Sequence, residues 1–296
     1  MLILVIGASG QLGKSINSLV RKKYLTDSFV FVTRDQLDLS SFEKIQNYFN
    51  TQKFDLIINC AAYTKVDKAE NEKNQANLIN NLAVKQIAEI AKSLNIKLIH
   101  ISTDFVFDGL KNFPYLETDT TSPINIYGKT KLAGENAILS IMKFNAIIIR
   151  TSWVYSEYGN NFVDTILNLI NNRNELNIVS DQIGSPTYVG DLAQVILSII
   201  KSDNWLGLDR ETEIYHFSNN GACSWYEFAK EIAHISGSKC SINPIKTEDY
   251  QLAAKRPKHV VLNKEKISKE FNLKLIFWKD SLKKCMKHIQ EPSSFN

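Results

Sequence analysis

Several features that would assign a function class outright are missing from this chain. Its four cysteines, Cys60, Cys223, Cys240 and Cys285, form no Cys-x-x-Cys pair and match no zinc spacing. The five histidines have no metal-ligand spacing either. Thiols used this sparingly read as reduced, which points to the cytoplasm. A chain of 296 residues can bury a sizeable core, so it needs no disulfide or metal staple. No run of five or more basic residues occurs and the formal charge is only +4, so nucleic acid is not an expected partner. That mild excess suits a small anionic ligand as well as it suits a solvated lysine-rich surface. The first apolar run, Leu2-Ile3-Leu4-Val5-Ile6, stops at Gly7. It is too short for a signal peptide or a membrane span, and no later segment approaches a span, so no membrane is expected. Internal repeats are absent.

What remains is an ordinary globular composition, 44% apolar and 22% charged. Short apolar runs at 2–6, 29–32, 55–60, 97–102 and 146–150 alternate with longer segments, two of which (75–94 and 124–142) are helical in pattern. Leu56-Ile57-Ile58 and Ile147-Ile148-Ile149 are apolar without alternation, as in strands covered on both faces of a parallel sheet. The rhythm predicts an α/β fold with a doubly wound parallel sheet. The second half is less regular. Helices are expected at 161–171, 189–200, 225–235 and 279–288, and strands at 176–179 and 214–217. The expected division is a nucleotide-binding domain over 1–152, completed by segments of the second half, and a smaller α/β domain over 153–296 that binds substrate.

The first strand runs into Gly7-Ala8-Ser9-Gly10-Gln11-Leu12-Gly13 and then into a helical pattern. Residues without a Cβ let the backbone fold sharply there and approach a pyrophosphate, while the helix start offers N–H groups and a positive dipole end. Three glycines alone are weak evidence, but their place after the first strand points to a dinucleotide. An NAD-binding chain usually has an acid about 20 residues beyond the glycines. Here the second strand ends in Val32-Thr33-Arg34, and Arg34 suits a 2′-phosphate. NADPH is therefore expected over NADH, although Asp35 and Asp38 follow closely.

Ser122-Pro123 reads as the N-cap and first residue of a helix containing Tyr127-Gly128-Lys129-Thr130-Lys131. Tyr127 and Lys131, four apart, share a helix face. A ketone that receives hydride must also receive a proton, and a phenol with a pKa of about 10 needs help near neutrality. A neighbouring ammonium would draw that pKa down. The spacing is cheap: Tyr226 and Lys230 repeat it, and that pair reads as helix packing with a solvated lysine. Tyr127 is preferred because its helix follows the fourth strand, which ends in Ser102-Thr103-Asp104. A hydroxyl from Ser102 or Thr103 at that strand end could hold a substrate carbonyl.

Taken with Asn59-Cys60-Ala61-Ala62-Tyr63-Thr64-Lys65-Val66-Asp67, Phe105-Val106-Phe107-Asp108-Gly109, Arg150-Thr151-Ser152-Trp153 and Arg256-Pro257, these motifs resemble the dTDP-4-dehydrorhamnose reductases. Those are extended short-chain dehydrogenase/reductases, and the resemblance runs over nearly the whole chain. It implies a Rossmann-type domain with a smaller sugar-nucleotide domain. The implied reaction is NAD(P)H-dependent reduction of dTDP-4-dehydro-6-deoxy-L-mannose to dTDP-L-rhamnose for a cell-surface polysaccharide. The alternatives are a related dTDP-6-deoxy-sugar reductase or epimerase, such as one giving 6-deoxy-talose, and a non-catalytic NADP-binding subunit. Tyr127, Lys131 and Thr103 would be catalytic, and Tyr127 and Lys131 would also bind the cofactor, the lysine through the nicotinamide ribose. Gly10, Gln11 and Leu12 would line the pyrophosphate, within the turn that Gly7 and Gly13 bound, and Asp38 and Leu39 would line the adenosine beside the Arg34 already read as a cofactor contact. Ala61, Ala62, Tyr63 and Ser102 would flank the cofactor, and Thr103, Asp104, Trp153 and Arg256 would meet the dTDP-sugar. Phe105, Ser185 and Val260 depart from frequent family residues near the expected substrate side. Ser15 stands where some members place a magnesium-binding glutamate, so no metal is expected. A monomer or homodimer is implied.

Overall fold

Five strands of the first half and one of the second build one parallel sheet. The computed structural model describes residues 1–22, 27–206 and 210–291. The strands are β1 (Leu2–Ile6), β2 (Ser28–Val32), β3 (Leu56–Asn59), β4 (Lys97–Thr103), β5 (Ala146–Thr151) and an edge strand, Glu213–His216. From that edge the order is Glu213–His216, β5, β4, β3, β1, β2. The chain steps outward from β1 to β2 and then crosses back to β3. The winding therefore reverses between β1 and β3, and ligands of such sheets bind beyond the carboxyl ends of the strands there.

Both faces of the sheet are covered, which explains the unbroken apolar runs. Leu56, Ile58, Ile147 and Ile149 leave on one face and pack with Leu12 and Ile16 of α1 (Gln11–Lys22) and Leu192 and Ile196 of helix Val189–Ile200. Ile57, Leu98 and Ile148 leave on the other, against Ile45 and Phe49 of helix Phe42–Thr51 and Val84 and Ile87 of helix Ala83–Ser93.

The 75–94 region is not one continuous α-helix. Lys73–Asn77 passes through a π turn, Leu78–Leu82, into Ala83–Ser93. At that turn the facing helix, Ile126–Ile141, comes so close that a Cβ on Gly134 would lie 2.2 Å from the Asn80 carbonyl oxygen. Such bulges recur at functional sites, and Asn80 is used in the site described below.

The second half does two things. Strand Glu213–His216 and helix Val189–Ile200 join the large sheet. The remainder builds its own apolar cluster from Tyr155, Val163, Ile166, Phe228, Trp278 and Leu282. Beside it lie small sheets, one pairing Glu175–Val179 with Ser241–Ile245 and another joining Ile183–Gly184 to Cys223–Ser224 and His259–Val260. Among the described residues, all four cysteines are free thiols and no helix is long and apolar enough to cross a membrane.

Candidate active site

The glycine turn is as tight as its sequence demands. Gly7 adopts φ +87°, and a Cβ on it would lie 2.9 Å from the Ala61 backbone nitrogen. A Cβ on Gly13 would lie 2.5 Å from the Gly7 carbonyl oxygen. The Gly7 and Ala8 N–H groups both donate to the Val32 carbonyl, at 3.1 and 2.9 Å. The N–H groups of Gln11, Leu12 and Gly13 then open α1, where they have no intrahelical acceptor and suit a pyrophosphate. The Gln11 side chain is otherwise engaged: its carbonyl accepts from Ser156 Oγ (2.7 Å) and Asn161 Nδ2 (3.1 Å), tying the turn to the segment beyond β5.

At the end of β2, Arg34 is 72% exposed, with its Nε 3.6 Å from Asp38 Oδ1. Hydrogen bonds from the Ser40 N–H and hydroxyl, aided by Arg34, hold the Asp38 carboxyl below its usual range. Leu39 is buried in the core under β2, so its side chain is a packing group. Beyond β3, Ala61 donates its N–H to Asn59 Oδ1 (3.1 Å). Asn80 clamps the next residues, accepting from the Tyr63 N–H (2.8 Å) and donating to the Tyr63 carbonyl (3.0 Å) and to Thr130 (3.2 Å).

The tyrosine helix starts later than Ser122-Pro123 suggested. Asn125 is its N-cap, accepting from the Gly128 N–H at 2.8 Å, and the Asn125 amide also donates to the Lys255 carbonyl. Pro123 instead packs under the first turn. A Cβ on Gly128 would meet Pro123 Cβ at 3.0 Å and the Phe105 carbonyl oxygen at 2.2 Å. The missing side chain thus lets the Tyr127 turn lie directly on the segment after β4.

Tyr127 is partly accessible, but burial of its hydroxyl pushes the phenol up to about 12, with the nearby Thr103 hydroxyl acting in the opposite sense. This corrects the expectation that Lys131 draws the phenol down. The Lys131 ammonium donates to the Ile101 carbonyl at 2.7 Å and lies 3.3 Å from His100 Nε2. Burial pushes it down to about 8, while Glu135 acts in the opposite sense. Thr103 accepts from the Phe105 N–H (3.2 Å) and donates to Asp104 Oδ1 (3.1 Å). Asp104 is 3% exposed, and burial pushes its carboxyl up to about 7.

Ser102 does not point with Thr103. Its hydroxyl donates to Glu135, whose carboxylate is gripped by Arg150 through Nε (3.0 Å) and Nη2 (2.7 Å) inside the core. Alternation along β4 explains the split, because neighbouring strand residues face opposite ways. The Ser102 side chain therefore belongs to a buried ion pair and is not the hydroxyl that holds a carbonyl.

Beyond β4 and β5 a cavity of about 740 Å³ brings together Asp104, Phe105, Trp153 and Arg256 with Trp225 and Val260. Trp153 takes φ +46° and stacks on Trp225 with ring centroids 3.5 Å apart. The Arg256 guanidinium donates to both Asp67 carboxylate oxygens, at 2.8 and 2.5 Å, which fixes its position. Phe105 meets the Tyr127 ring edge-on at 5.6 Å, joining the cavity to the tyrosine. Phe105 and Val260 are thus on the cavity wall. Ser185 is not: it is fully buried and donates to the Gly221 carbonyl. Tyr226 and Lys230 make only a cation–π contact at 5.4 Å on the second-half helix. Sequence reasoning missed Trp225, Phe162, Arg173 and Tyr250 on the cavity wall, and His100 and Asn80 behind Lys131 and Tyr63. The one available signal was the aromatic pair Trp225-Tyr226 at a helix start. Among the described residues no group of His, Cys, Asp or Glu is placed to hold a metal ion.

Comparison with known proteins agrees with this geometry. Residues 1–291 match the family model described as RmlD substrate binding domain. A dTDP-4-dehydrorhamnose reductase of Aggregatibacter actinomycetemcomitans is 39% identical over 291 residues, covering 95% of this chain and 97% of that protein. The spore coat polysaccharide biosynthesis protein SpsK of Bacillus subtilis is 38% identical over 293 residues, covering 99% and 98%. The crystal structure of dTDP-4-dehydrorhamnose reductase from Bacillus anthracis in complex with NADP superposes with a TM-score of 0.90 at 36% identity, covering 97% and 99%. With the parallel sheet, the glycine turn and the cavity beyond β4 all in place, the chain belongs to the RmlD substrate binding domain family.

Proposed function

We propose that this protein is an NADPH-dependent reductase that converts dTDP-4-dehydro-6-deoxy-L-mannose to dTDP-L-rhamnose for a cell-surface polysaccharide. The carrying observation is the place of Tyr127, whose ring meets Phe105 edge-on at 5.6 Å where Asp104 and Phe105 wall the large cavity. The named reductase relatives, and the NADP complex of the Bacillus anthracis protein, support the substrate and the cofactor.

The residues fit a nicotinamide dinucleotide, since the Gly7–Gly13 cradle would be filled by any Cβ. When bound, the cofactor supplies hydride to the keto carbon. Tyr127, with its pKa of about 12, holds its proton at neutral pH and delivers it to the oxygen that becomes the new hydroxyl. Thr103 holds that oxygen. Lys131, still mostly charged at neutral pH, donates to the ribose of the nicotinamide nucleotide and so orients it against Tyr127. Asp104, Trp153 and Arg256 meet the sugar nucleotide. Gly10, Gln11 and Leu12 cradle the pyrophosphate, mainly through backbone N–H groups.

In this reading residues 1–152, completed by Glu213–His216 and Val189–Ile200, bind the dinucleotide, and most of 153–296 binds the substrate. The enzyme works in the cytoplasm as a monomer or homodimer. The test is a purified-enzyme assay with dTDP-4-dehydrorhamnose and each cofactor, with the product identified by NMR. Formation of dTDP-L-rhamnose supports the assignment, and a talo product or no turnover overturns it. For the cofactor, Arg34→Ala should weaken NADPH more than NADH in direct binding; equal losses would refute the role of Arg34.

A further inference from the structure

A second cavity, about 290 Å³, shares no lining residue with the large one. Its wall includes Pro114, Asn220, Leu262, Asn263, Lys264 and Leu275. Lys264 is only 8% exposed, and among the described residues its ammonium has no hydrogen-bond or ion-pair partner. Other buried ionisable groups do have polar partners: Arg150 has Glu135, Asp191 has Lys284, Asn219 and Ser281, Lys131 donates to the Ile101 carbonyl and Asp104 accepts from Thr103. A charge held this far out of water is costly without a counter-ion, and the cavity that Lys264 lines is where one could sit.

The surroundings favour an anion. Glu265 is the only carboxylate on the wall; it is 71% exposed and taken up by Lys269 at 3.2 Å. Asn263 Oδ1 accepts from the Glu265 N–H, which leaves its amide NH2 to donate. Pro114, Leu262 and Leu275 give the rest of the wall an apolar character.

We propose that this cavity binds a small organic anion, its charge on the Lys264 ammonium and the Asn220 and Asn263 amides and its body against Pro114, Leu262 and Leu275. Burial alone sets Lys264 down to about 8, so the ammonium is still the main form at neutral pH.

Phenyl phosphate is the probe, with inorganic phosphate and phenol as the charge-only and apolar-only controls. Calorimetric titration into the full chain should show phenyl phosphate binding more tightly than either control. Lys264→Met should weaken it at least about tenfold while leaving reductase turnover unchanged. Thermal unfolding without added anions supplies the second readout. Lys264→Met should unfold at a higher temperature than the wild type, because it removes an unpaired buried charge. Phenyl phosphate should raise the midpoint of the wild type and not that of the variant. Equal affinity in both proteins, no detectable binding to the wild type, or a lower midpoint in the variant would overturn the site.

Discussion

Three ionisable side chains around the end of β4 are moved by burial, each towards its uncharged form. Tyr127 and Asp104 are pushed up, to about 12 and about 7, and Lys131 is pushed down to about 8. In the proposed mechanism Lys131 works only as a cation. Because its pKa is lowered, it is charged below about 8 and loses its charge as the pH rises past that point, whereas Tyr127 keeps its proton. The plot of kcat/KM against pH should therefore fall above about pH 8, and a plot level to pH 10 would contradict the role given to the Lys131 charge. Asp104 gives a stability prediction. Its folded-state pKa lies above the ordinary 3.8, so the folded state holds the proton more tightly, and stability is lost as the pH rises from about 4 to about 7. Asp104→Asn should remove that loss. Measured by denaturant unfolding, the variant should gain on the wild type across this window, by up to a few kcal/mol, and the difference should level off above it. The Tyr127–Lys131 pairing was legible from spacing and setting. The direction of its pKa shifts was not, because that depends on burial and on where the ammonium points, neither of which a four-residue interval records.

In the proposed reading, the element that positions the cofactor end is the β1–α1 turn. At Gly13 two effects compete. Alanine is the better helix former by about 1 kcal/mol, but its Cβ would lie 2.5 Å from the Gly7 carbonyl and 2.6 Å from Ala8 Cα. Both are backbone atoms that cannot swing away, and overpacking of this kind costs about 1–3 kcal/mol. The clash should win. Gly13→Ala is expected to lower the unfolding midpoint and to weaken NADPH binding, checked by thermal unfolding and by fluorescence titration; a more stable variant with unchanged affinity would contradict this account. The central strands were legible because both faces of the sheet are buried, so Ile57 and Ile58 read alike although they serve opposite clusters. The start of the tyrosine helix was misplaced because Ser122-Pro123 has good local capping chemistry. Tertiary contacts decide the outcome: Asn125 caps the helix while also reaching the Lys255 carbonyl, 130 positions away. The π turn at Leu78–Leu82 was invisible for a similar reason, since it lies where Gly134 presses on Asn80.

At the scale of the whole molecule, the site is a junction of distant segments. Asp104 and Phe105 come from the end of β4, Trp153 from beyond β5, Trp225 from a second-half helix and Arg256 from a late loop held by Asp67 near β3. Family motifs named the first, second, third and fifth of these. Trp225 escaped because nothing in its own neighbourhood says that its ring will stack on Trp153. The Arg256–Asp67 fork also shows how the late loop is drawn across to the segment after β3, placing the cavity beside the Thr103–Tyr127 pair. The measurement that bears most directly on this arrangement is NADPH oxidation by Tyr127→Phe in the presence of dTDP-4-dehydrorhamnose, paired with its NADPH affinity. The variant should lose at least about 100-fold in turnover, the scale of a positioned general acid, while binding NADPH nearly as the wild type does. Turnover close to that of the wild type would contradict the assignment of Tyr127 as the proton donor.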